Sequence, residues 1–293
     1  MLLSIGLLIA VLIFGVEDKG AKRWLYIGPF GGQPVEFVKL ALVIYLATFL
    51  SKKENRIRDF KTGVIPIVVV LLVLSFLIML QPHFSSVAIM ISVSFAMMYV
   101  AGIRFKHLLY LVVPVVPVII LLVATEGYRL KRILGYLNPW EDPVGSGFQL
   151  IQSLYAFGHG GIQGVGFGQS IQKLHYLPEM HTDFIFPIIG EEFGFIGCFL
   201  FLSVYFWFIL RSWLISIRSP VLFNQLLGIG IISIVTIQAM INLGGVTGLI
   251  PITGVTLPFI SYGGSSLLIS LMSIGIILSI SRDNNRRKLL NES

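Results

Sequence analysis

The chain has 293 residues, of which 56% are hydrophobic and only 12% are charged. A soluble globular domain is excluded, because roughly a quarter of the residues in such domains are charged. The net charge of +7 comes with no run of basic residues interleaved with aromatic ones, so no nucleic-acid partner is expected, and the single cysteine excludes an internal disulfide. Because the apolar residues form blocks separated by short charged segments, the sequence predicts an all-α polytopic membrane protein.

The apolar blocks predict about eight transmembrane helices, since a helix of about 20 residues crosses the hydrocarbon core. These helices are expected at residues 2–16, 35–50, 64–81, 85–102, 107–124, 185–210, 222–243 and 260–281. The first block lacks the basic segment and the cleavage site of a signal peptide, so it is predicted as a helix. Residues 17–34 are predicted to be a polar loop, in which Trp24 and Tyr26 suit the membrane interface. No separate soluble domain is detectable, and residues 1–293 are expected to form one membrane domain.

The basic residues of the connections predict the orientation of the chain. Of the 21 Lys and Arg residues, 13 fall in alternate connections, at 51–63, 103–107, 211–220 and the tail after residue 281. The positive-inside rule places this side, and with it both termini, in the cytoplasm. The connection over about 126–184 then faces outside, and its length of about 60 residues, far beyond a usual helix-to-helix loop, argues for a function.

Two ionisable residues interrupt the second apolar block. Glu36 and Lys39 are three residues apart, which puts them on one helical face within pairing distance. Ionisable groups inside a membrane segment face a cavity or a partner and indicate function by default. The pair is predicted either to contact substrate or to be a structural ion pair near the outer end of the helix, and the two interpretations are compatible.

The long connection begins with basic residues and continues with an amphipathic segment. Arg129 and Arg132 lie outside, against the orientation rule, so they either bind an anion such as a phosphate or extend to the membrane interface. Residues 148–157 are predicted to form a short helix, with Gln149 on its polar side, that lies on the outer surface or dips into the membrane. The glycine-rich run 164–170 resembles a nucleotide-binding motif only superficially, because it follows no strand, and we reject that interpretation.

A polar cluster ends the connection, since Glu179, His181 and Asp183 fall within five residues directly before an apolar run. A carboxylate at the boundary between water and bilayer is partly desolvated, which suits a general base. Asp183 is therefore predicted to be either that base or the N-cap of the following helix. Glu179 and His181 could orient substrate, and Glu179 could bind a cation. No His or Cys spacing indicates zinc, and no Gly-x-Ser-x-Gly motif indicates a serine hydrolase.

Serines and glycines lie at the start of the last apolar block, over residues 261–266. With the tail in the cytoplasm, this helix begins outside, and its N-terminal N–H groups could bind a phosphate or pyrophosphate. Ser261 and Ser265 are the candidate ligands. The alternative is that these small residues only allow tight packing of helices.

Several ordered stretches resemble the SEDS family (shape, elongation, division and sporulation), and most closely its FtsW/SpoVE branch. They are Gly20-Ala21-Lys22-Arg23-Trp24, Gln33-Pro34-Val35-Glu36, Asn138-Pro139-Trp140-Glu141-Asp142-Pro143, Gly147-Phe148-Gln149, Lys173 with Leu177-Pro178-Glu179, His181-Thr182-Asp183-Phe184-Ile185-Phe186, Gly190-Glu191-Glu192 and Leu257-Pro258-Phe259-Ile260-Ser261-Tyr262-Gly263-Gly264-Ser265-Ser266. The chain departs from the family in two ways. The resemblance implies ten spans, so the first two have no counterpart here, and the family's Gln-Pro-Asp turn reads Gln81-Pro82-His83.

The resemblance implies a peptidoglycan glycosyltransferase that polymerises the lipid-linked disaccharide lipid II for septal wall synthesis, with Asp183 at the position of the family's essential aspartate. It implies release of undecaprenyl pyrophosphate, whose charge Lys173, Arg129, Arg132 or Lys39 could neutralise. No cofactor is certain, and a divalent cation, magnesium or manganese, held partly by Glu179 is the alternative to these basic residues.

The resemblance also implies partners and a location, namely a class B penicillin-binding protein that supplies the transpeptidase, other division proteins, and the bacterial cytoplasmic membrane. Two further functions stay open from the residues. A lipid II flippase would line a path through both leaflets with polar residues, whereas this sequence concentrates them on the outer side. A scaffold of the division complex without catalysis is the other alternative.

Overall fold

A computed structural model describes residues 1–18, 21–28, 30–53, 57, 59–110, 113, 127–174 and 177–292. The chain is mainly helical, and it folds into two compact units. The first unit consists of Met1–Tyr110, Ile209–Ile237 and Gly264–Ser293. The second unit consists of Leu111–Phe208 and Gln238–Gly263. The prediction of a single membrane domain over the whole chain stays a prediction.

The first unit is built mainly from apolar helices. They are α1 (Leu2–Phe14), α2 (Pro34–Lys52), α3 (Ile65–Met79), which follows a π-helical turn at Phe60–Val64, and α4 (Phe84–Val100). At Gly230, a Cβ atom would lie 2.5 Å from Val43 and 2.6 Å from Met97, so glycine allows a close approach to α2 and α4. Such contacts through small residues are typical of helices that pack in lipid.

Residues 17–34 were predicted to be a polar loop, and this prediction was wrong. They contain most of an antiparallel three-stranded sheet, of order β1 (Val16–Asp18), β2 (Ala21–Ile27) and β3 (Phe30–Gly32). Glu17 pairs with Lys22, and Tyr26 pairs with Gly31. The central strand carries Trp24 and Tyr26, whose rings stack with centroids 6.3 Å apart. Aromatic and branched side chains favour a pleated strand, and the sheet pairs backbone groups that a loop would leave open.

The second unit holds the two helices of the long connection. They are α5 (Gly127–Leu137) and α6 (Phe148–Gly160), joined through a 3₁₀ turn at Pro139–Glu141. The predicted surface helix at 148–157 is thus confirmed as a helix. Asp142 closes the turn before it by accepting hydrogen bonds from the backbone N–H of Ser146 at 2.7 Å and of Gly145 at 3.0 Å. These donors lower the pKa of Asp142 below its usual value.

Three long helices complete the chain, α7 (Ile185–Ile217), α8 (Leu222–Val246) and α9 (Gly264–Glu292). Each contains a stretch long and apolar enough to span a membrane, as do Pro34–Lys52 and Phe60–Met79. The predicted spans at 2–16 and 85–102 correspond to the shorter apolar helices α1 and α4. Most of the predicted span at 107–124 lies outside the described residues.

Several predicted ends of the last three helices differ from the structure, and α8 ends at Val246 and not at residue 243. Helix α7 continues beyond residue 210 to Ile217, and α9 continues beyond residue 281 through the basic tail. Lys and Arg are good helix formers, so a rise in charge indicates where a helix leaves the bilayer and not where it ends. Helix α9 also begins at Gly264, three residues after Ser261.

Helix α7 is broken at Gly194, whose backbone has φ 63° and ψ −164°. The break frees backbone groups that would be unsatisfied in an apolar surrounding. The glycine-rich run pairs with them, because Val165 N donates to Glu191 O and Gly166 N donates to Glu192 O, both at 3.0 Å. The glycine-rich run therefore has a structural function, and the rejection of a nucleotide-binding motif stays a prediction.

Candidate active site around Asp183

Asp183 lies two residues before the start of α7, and its side chain is half-buried. It lines a small cavity, partly open to solvent, together with Phe184, Ile241, Asn242, Gly245, Val246, Ile252, Thr253, Gly254 and Val255. The cavity is therefore bounded by the start of α7, the end of α8 and the loop that follows α8. A carboxylate here has apolar walls on several sides and polar neighbours on the others.

The main chain around Asp183 is held by Asn242, near the end of α8, and by two residues of the loop that follows this helix. Asn242 Nδ2 donates to the carbonyl oxygen of Asp183 at 2.7 Å. Ser261 Oγ donates to the carbonyl oxygen of Thr182 at 2.5 Å, and the backbone N–H of Tyr262 donates to His181 O at 2.8 Å. Three successive carbonyl groups are thus fixed, which limits the positions that the Asp183 carboxylate can adopt.

Gly254 allows the loop to pass close to this carboxylate. Its φ is +69°, a conformation that L side chains rarely adopt, and a Cβ atom built on it would lie 3.4 Å from Asp183 Oδ2. A side chain at this position would be strained by the backbone conformation and would contact the Asp183 carboxylate.

Glu179 and His181 belong to the same turn as Asp183. Glu179 has a positive φ of 60°, and its Oε2 accepts a hydrogen bond from Thr182 Oγ1 at 2.9 Å. The backbone N–H groups of Thr182 and Phe184 both donate to Glu179 O, at 3.1 and 3.2 Å. Glu179 thus closes the turn that presents Asp183, whereas the side chain of His181 is exposed.

Lys173 is engaged elsewhere. Its ammonium group lies 2.9 Å from Glu192 Oε1 on α7, in a pair that is largely buried. The pair ties the connection to the helix on the N-terminal side of the break at Gly194. The structure thus gives Lys173 a carboxylate partner, and its predicted contact with substrate stays a prediction.

Sequence reasoning missed Glu191 as a site residue, although it lies in the quoted Gly190-Glu191-Glu192 stretch. Its side chain is fully buried, and it accepts hydrogen bonds from the Ser170 hydroxyl, from Ile171 N at 3.1 Å and from Gln172 N at 3.2 Å. His159 Nδ1 lies 3.3 Å from Glu191 Oε1. The signal was available, since a carboxylate inside an apolar segment needs partners.

The basic residues at the start of the connection lie on α5. Arg132 is exposed, and its guanidinium donates to Ile252 O at 3.3 Å, on the loop that lines the Asp183 cavity. Arg129 lies in the same helix, and its side chain is outside the described part of the chain. Gln149 is half-buried in the first turn of α6.

The remaining predicted residues lie in the first unit. Lys39 Nζ and Glu36 Oε1 are 2.8 Å apart, and both residues are buried, which confirms the predicted pairing on one helical face. Ser265 Oγ accepts a hydrogen bond from Gln33 N at 3.0 Å, so this serine binds backbone in the structure. Burial, with the charges of Arg23 and Lys39, lowers the pKa of His83 to about 3.

A bound divalent cation would need several ligand side chains close together. Within the part of the chain that the structure describes, no three His, Cys, Asp or Glu side chains are close enough together to hold a metal ion. Glu179 would supply one oxygen ligand, whereas Mg²⁺ takes an octahedral shell. The described residues therefore do not assemble such a site.

The fold and this site define a multi-pass helical membrane protein with a carboxylate cavity at a helix start. The profile of the FtsW/RodA/SpoVE family, described as cell cycle proteins, matches residues 1–286. The chain belongs to this family.

Two curated relatives illustrate the similarity. Stage V sporulation protein E of Bacillus subtilis (strain 168) is 47% identical over 284 residues, which cover 96% of this chain and 78% of that protein. A protein of Trichlorobacter lovleyi named probable peptidoglycan glycosyltransferase FtsW is 44% identical over 283 residues, which cover 96% of this chain and 74% of that protein.

Solved structures share the same fold. A chain from work on the structural coordination of polymerization and crosslinking by a peptidoglycan synthase complex superposes with a TM-score of 0.79 at 32% identity, covering 96% of this chain and 79% of that one. The rod shape determining protein RodA of Thermus thermophilus superposes with a TM-score of 0.68 at 28% identity, covering 96% and 76%.

Proposed function

We propose that this protein is a peptidoglycan glycosyltransferase that polymerises lipid II into β-1,4 glycan strands for the division septum, with Asp183 as its general base. Family membership and relatives named peptidoglycan glycosyltransferase FtsW support the class of reaction. One observation carries the assignment of the base. Asp183 lines a cavity, and Asn242 and Ser261 fix the main chain at Asp183 and Thr182.

The reaction is a single in-line displacement at the anomeric carbon of the growing strand's MurNAc. The 4-hydroxyl oxygen of the acceptor GlcNAc forms the new bond to this carbon, and the bond to undecaprenyl pyrophosphate breaks, so that the lipid pyrophosphate leaves with the electron pair. A sugar hydroxyl is a weak nucleophile at neutral pH. Asp183 accepts its proton during the attack, which contributes about 10²- to 10⁴-fold in general base catalysis.

Positive charge beside the leaving pyrophosphate would stabilise the transition state. Arg132 and Arg129 are the first candidates, because they share α5 and Arg132 contacts the loop of the Asp183 cavity. Lys173 would have to exchange its partner Glu192 for the pyrophosphate. Glu36, Lys39 and Ser265 of the first unit, and Gln149, His181 and Ser261 of the second, are retained as candidates for binding other parts of the substrate. A divalent cation held partly by Glu179 is also proposed, although no group of three His, Cys, Asp or Glu side chains surrounds it among the described residues.

The location and partner belong to the same proposal. Both termini are assigned to the cytoplasm, and the Asp183 cavity to the outer face of the bacterial cytoplasmic membrane, where the lipid II head group would be presented. The distribution of Lys and Arg supports this orientation. A class B penicillin-binding protein is the proposed partner for cross-linking, supported by a structural relative from a peptidoglycan synthase complex.

The proposal is tested with purified protein, a cognate class B penicillin-binding protein and labelled lipid II. Wild type is expected to make glycan polymer, and Asp183→Ala and the isosteric Asp183→Asn are expected to make none. Glu141→Gln is the matched control, because it removes an exposed carboxylate of the same connection. If Asp183→Asn forms polymer at the wild-type rate, Asp183 is not the general base. If wild type forms no polymer although the penicillin-binding protein in the reaction is active, the protein is not a lipid II polymerase.

A further inference from the structure

We propose that Asn242 is a substrate-positioning residue, whose Oδ1 accepts a hydrogen bond from a hydroxyl of the acceptor sugar that flanks the attacking 4-hydroxyl. The inference rests on the proposed function and adds a residue that was not singled out from the sequence. Asn242 lies near the end of α8 and lines the cavity together with Asp183.

The orientation of the Asn242 carboxamide follows from its two contacts. Nδ2 lies 2.7 Å from the carbonyl oxygen of Asp183 and 2.7 Å from that of Val255. A carbonyl oxygen only accepts hydrogen bonds, so the NH₂ group must face both, and its two N–H bonds are used. The carboxamide oxygen is consequently fixed on the other side of the group.

Within the described part of the chain, that oxygen is buried without a partner. Asn242 is only 4% exposed, and Oδ1 has no hydrogen-bond donor within reach among the residues that the structure describes. A buried polar atom without a partner is costly and uncommon in native proteins, and such an atom calls for an explanation. A donor that arrives with the substrate would satisfy this oxygen.

The chemistry of an amide oxygen limits what that donor can be. The leaving pyrophosphate presents acceptor oxygens, which an amide oxygen cannot bind. The GlcNAc 3- and 6-hydroxyls flank the 4-hydroxyl and can each donate one hydrogen bond. Because the Asn242 amide also holds the Asp183 carbonyl group, one side chain would set the distance between the base and the acceptor hydroxyl.

The test is a cycle that combines an enzyme variant with substrate analogues. Wild type and Asn242→Ala are assayed with a donor lipid II that lacks its own 4-hydroxyl, and with acceptors that are intact, 3-deoxy or 6-deoxy. Asn242→Ala is expected to lower kcat/KM about 10- to 100-fold with the intact acceptor. With one of the two deoxy acceptors, kcat/KM of wild type is expected to fall by a similar factor relative to the intact acceptor. For Asn242→Ala, the fall in kcat/KM with the same deoxy acceptor is expected to be at least tenfold smaller. This coupling is a readout that a purely structural residue would not alter.

Asn284→Ala provides the matched control. Among the described residues, Asn284 Oδ1 is also buried without a partner, and its Nδ2 donates to a backbone carbonyl, that of Ile215. The Asn284→Ala variant should change thermal stability. The loss of kcat/KM with each deoxy acceptor, relative to the intact acceptor, should stay at its wild-type value. If Asn242→Ala does not fold, Asn242→Ser replaces it, because a serine hydroxyl can still donate to one of the carbonyls.

The outcomes separate the inference from the proposed function. Equal deoxy penalties in wild type and in the Asn242 variants, with wild type active, would overturn only the positioning role of Asn242. A wild-type protein that makes no product from intact lipid II would refute the proposed function itself. Coupling with either the 3-deoxy or the 6-deoxy acceptor supports the inference and identifies the hydroxyl.

Discussion

The hydroxyl of Ser170 donates a hydrogen bond to the fully buried carboxylate of Glu191, across 20 intervening residues of the chain. Two backbone N–H groups that follow the serine bind the same carboxylate. The connection between α6 and α7 is therefore held by a charged acceptor in α7. The anchor fixes residues 170–172, and the ion pair of Lys173 with Glu192 holds the next residue to the same helix.

Replacing Glu191 should release this anchor. Glu191→Gln keeps the shape of the side chain but replaces one carboxylate oxygen by an NH₂ group. This group faces the hydrogen-bond donors of residues 170–172, some of which lose their acceptor. We expect a loss of unfolding free energy of about 1.5–3 kcal/mol, the usual range for a hydrogen bond to a charged group. Thermal unfolding in detergent measures it, and limited proteolysis should show faster cleavage within residues 162–174. Glu141→Gln is the control, and equal stability of both variants would contradict the anchor.

Gly164 should tolerate no side chain. Its φ is +82°, and a Cβ atom would lie 2.2 Å from the carbonyl oxygen of Glu192. Gly168 is the matched control, because its φ of +78° is similar but the nearest atom to its Cβ would be Lys173 Nζ at 3.8 Å. Both alanine variants incur the cost of a left-handed conformation, about 1–2 kcal/mol. Gly164→Ala is expected to lose clearly more stability, and an equal loss would show that the contact with Glu192 adjusts freely.

The buried pair Glu36–Lys39 should show strong coupling. Lys39→Met leaves the carboxylate of Glu36 buried without its partner, which typically costs about 3–5 kcal/mol. The double variant Glu36→Gln with Lys39→Met removes both charges and is expected to recover most of that loss. A double-mutant cycle on thermal unfolding measures the coupling, and polymerisation by the stable double variant decides between a structural and a substrate-binding pair. Additive losses would contradict a direct interaction.

The sequence predicted much of the helical architecture, because apolar length is a strong signal in a membrane protein. It also predicted that Glu36 and Lys39 pair, since a spacing of three residues places two side chains on one face of any helix. The sheet over Val16–Gly32 was not predicted. Strands of three to seven residues carry little periodicity, and their pairing depends on contacts that only the folded chain makes.

Only part of the candidate site was predicted, because some of its residues show no local sequence pattern. Asp183 and Ser261 were singled out because polar residues at the ends of apolar blocks are conspicuous, and the structure brings their segments together. Asn242 and Glu191 were not singled out as site residues. Asn242 resembles any polar residue near a helix end, and its importance comes from two carbonyl contacts that are distant in sequence. Tertiary hydrogen bonds of this kind leave no local pattern.

Mild acid should destabilise the first unit through His83. Its folded pKa is lowered to about 3, chiefly by burial and also by the charges of Arg23 and Lys39, whereas an unfolded histidine has a pKa near 6.5. Between these values the unfolded state binds a proton that the folded state excludes, so stability falls as the pH drops from about 6.5 towards 3 and is constant above that window. The folded wild type should therefore lose roughly 1–2 kcal/mol between pH 7.5 and pH 5, where most carboxylates remain ionised.

His83→Gln removes the titrating group, so its stability should change less than that of wild type between pH 7.5 and pH 5. His181→Gln is the matched control, because the side chain of His181 is exposed and its removal should leave the acid loss at the wild-type size. Thermal unfolding of the three proteins in one detergent, at both pH values, gives the comparison. If His83→Gln and His181→Gln lose stability equally on acidification, a charge enters the folded protein at residue 83 without cost, and the cluster of Arg23, Lys39 and His83 is open to water.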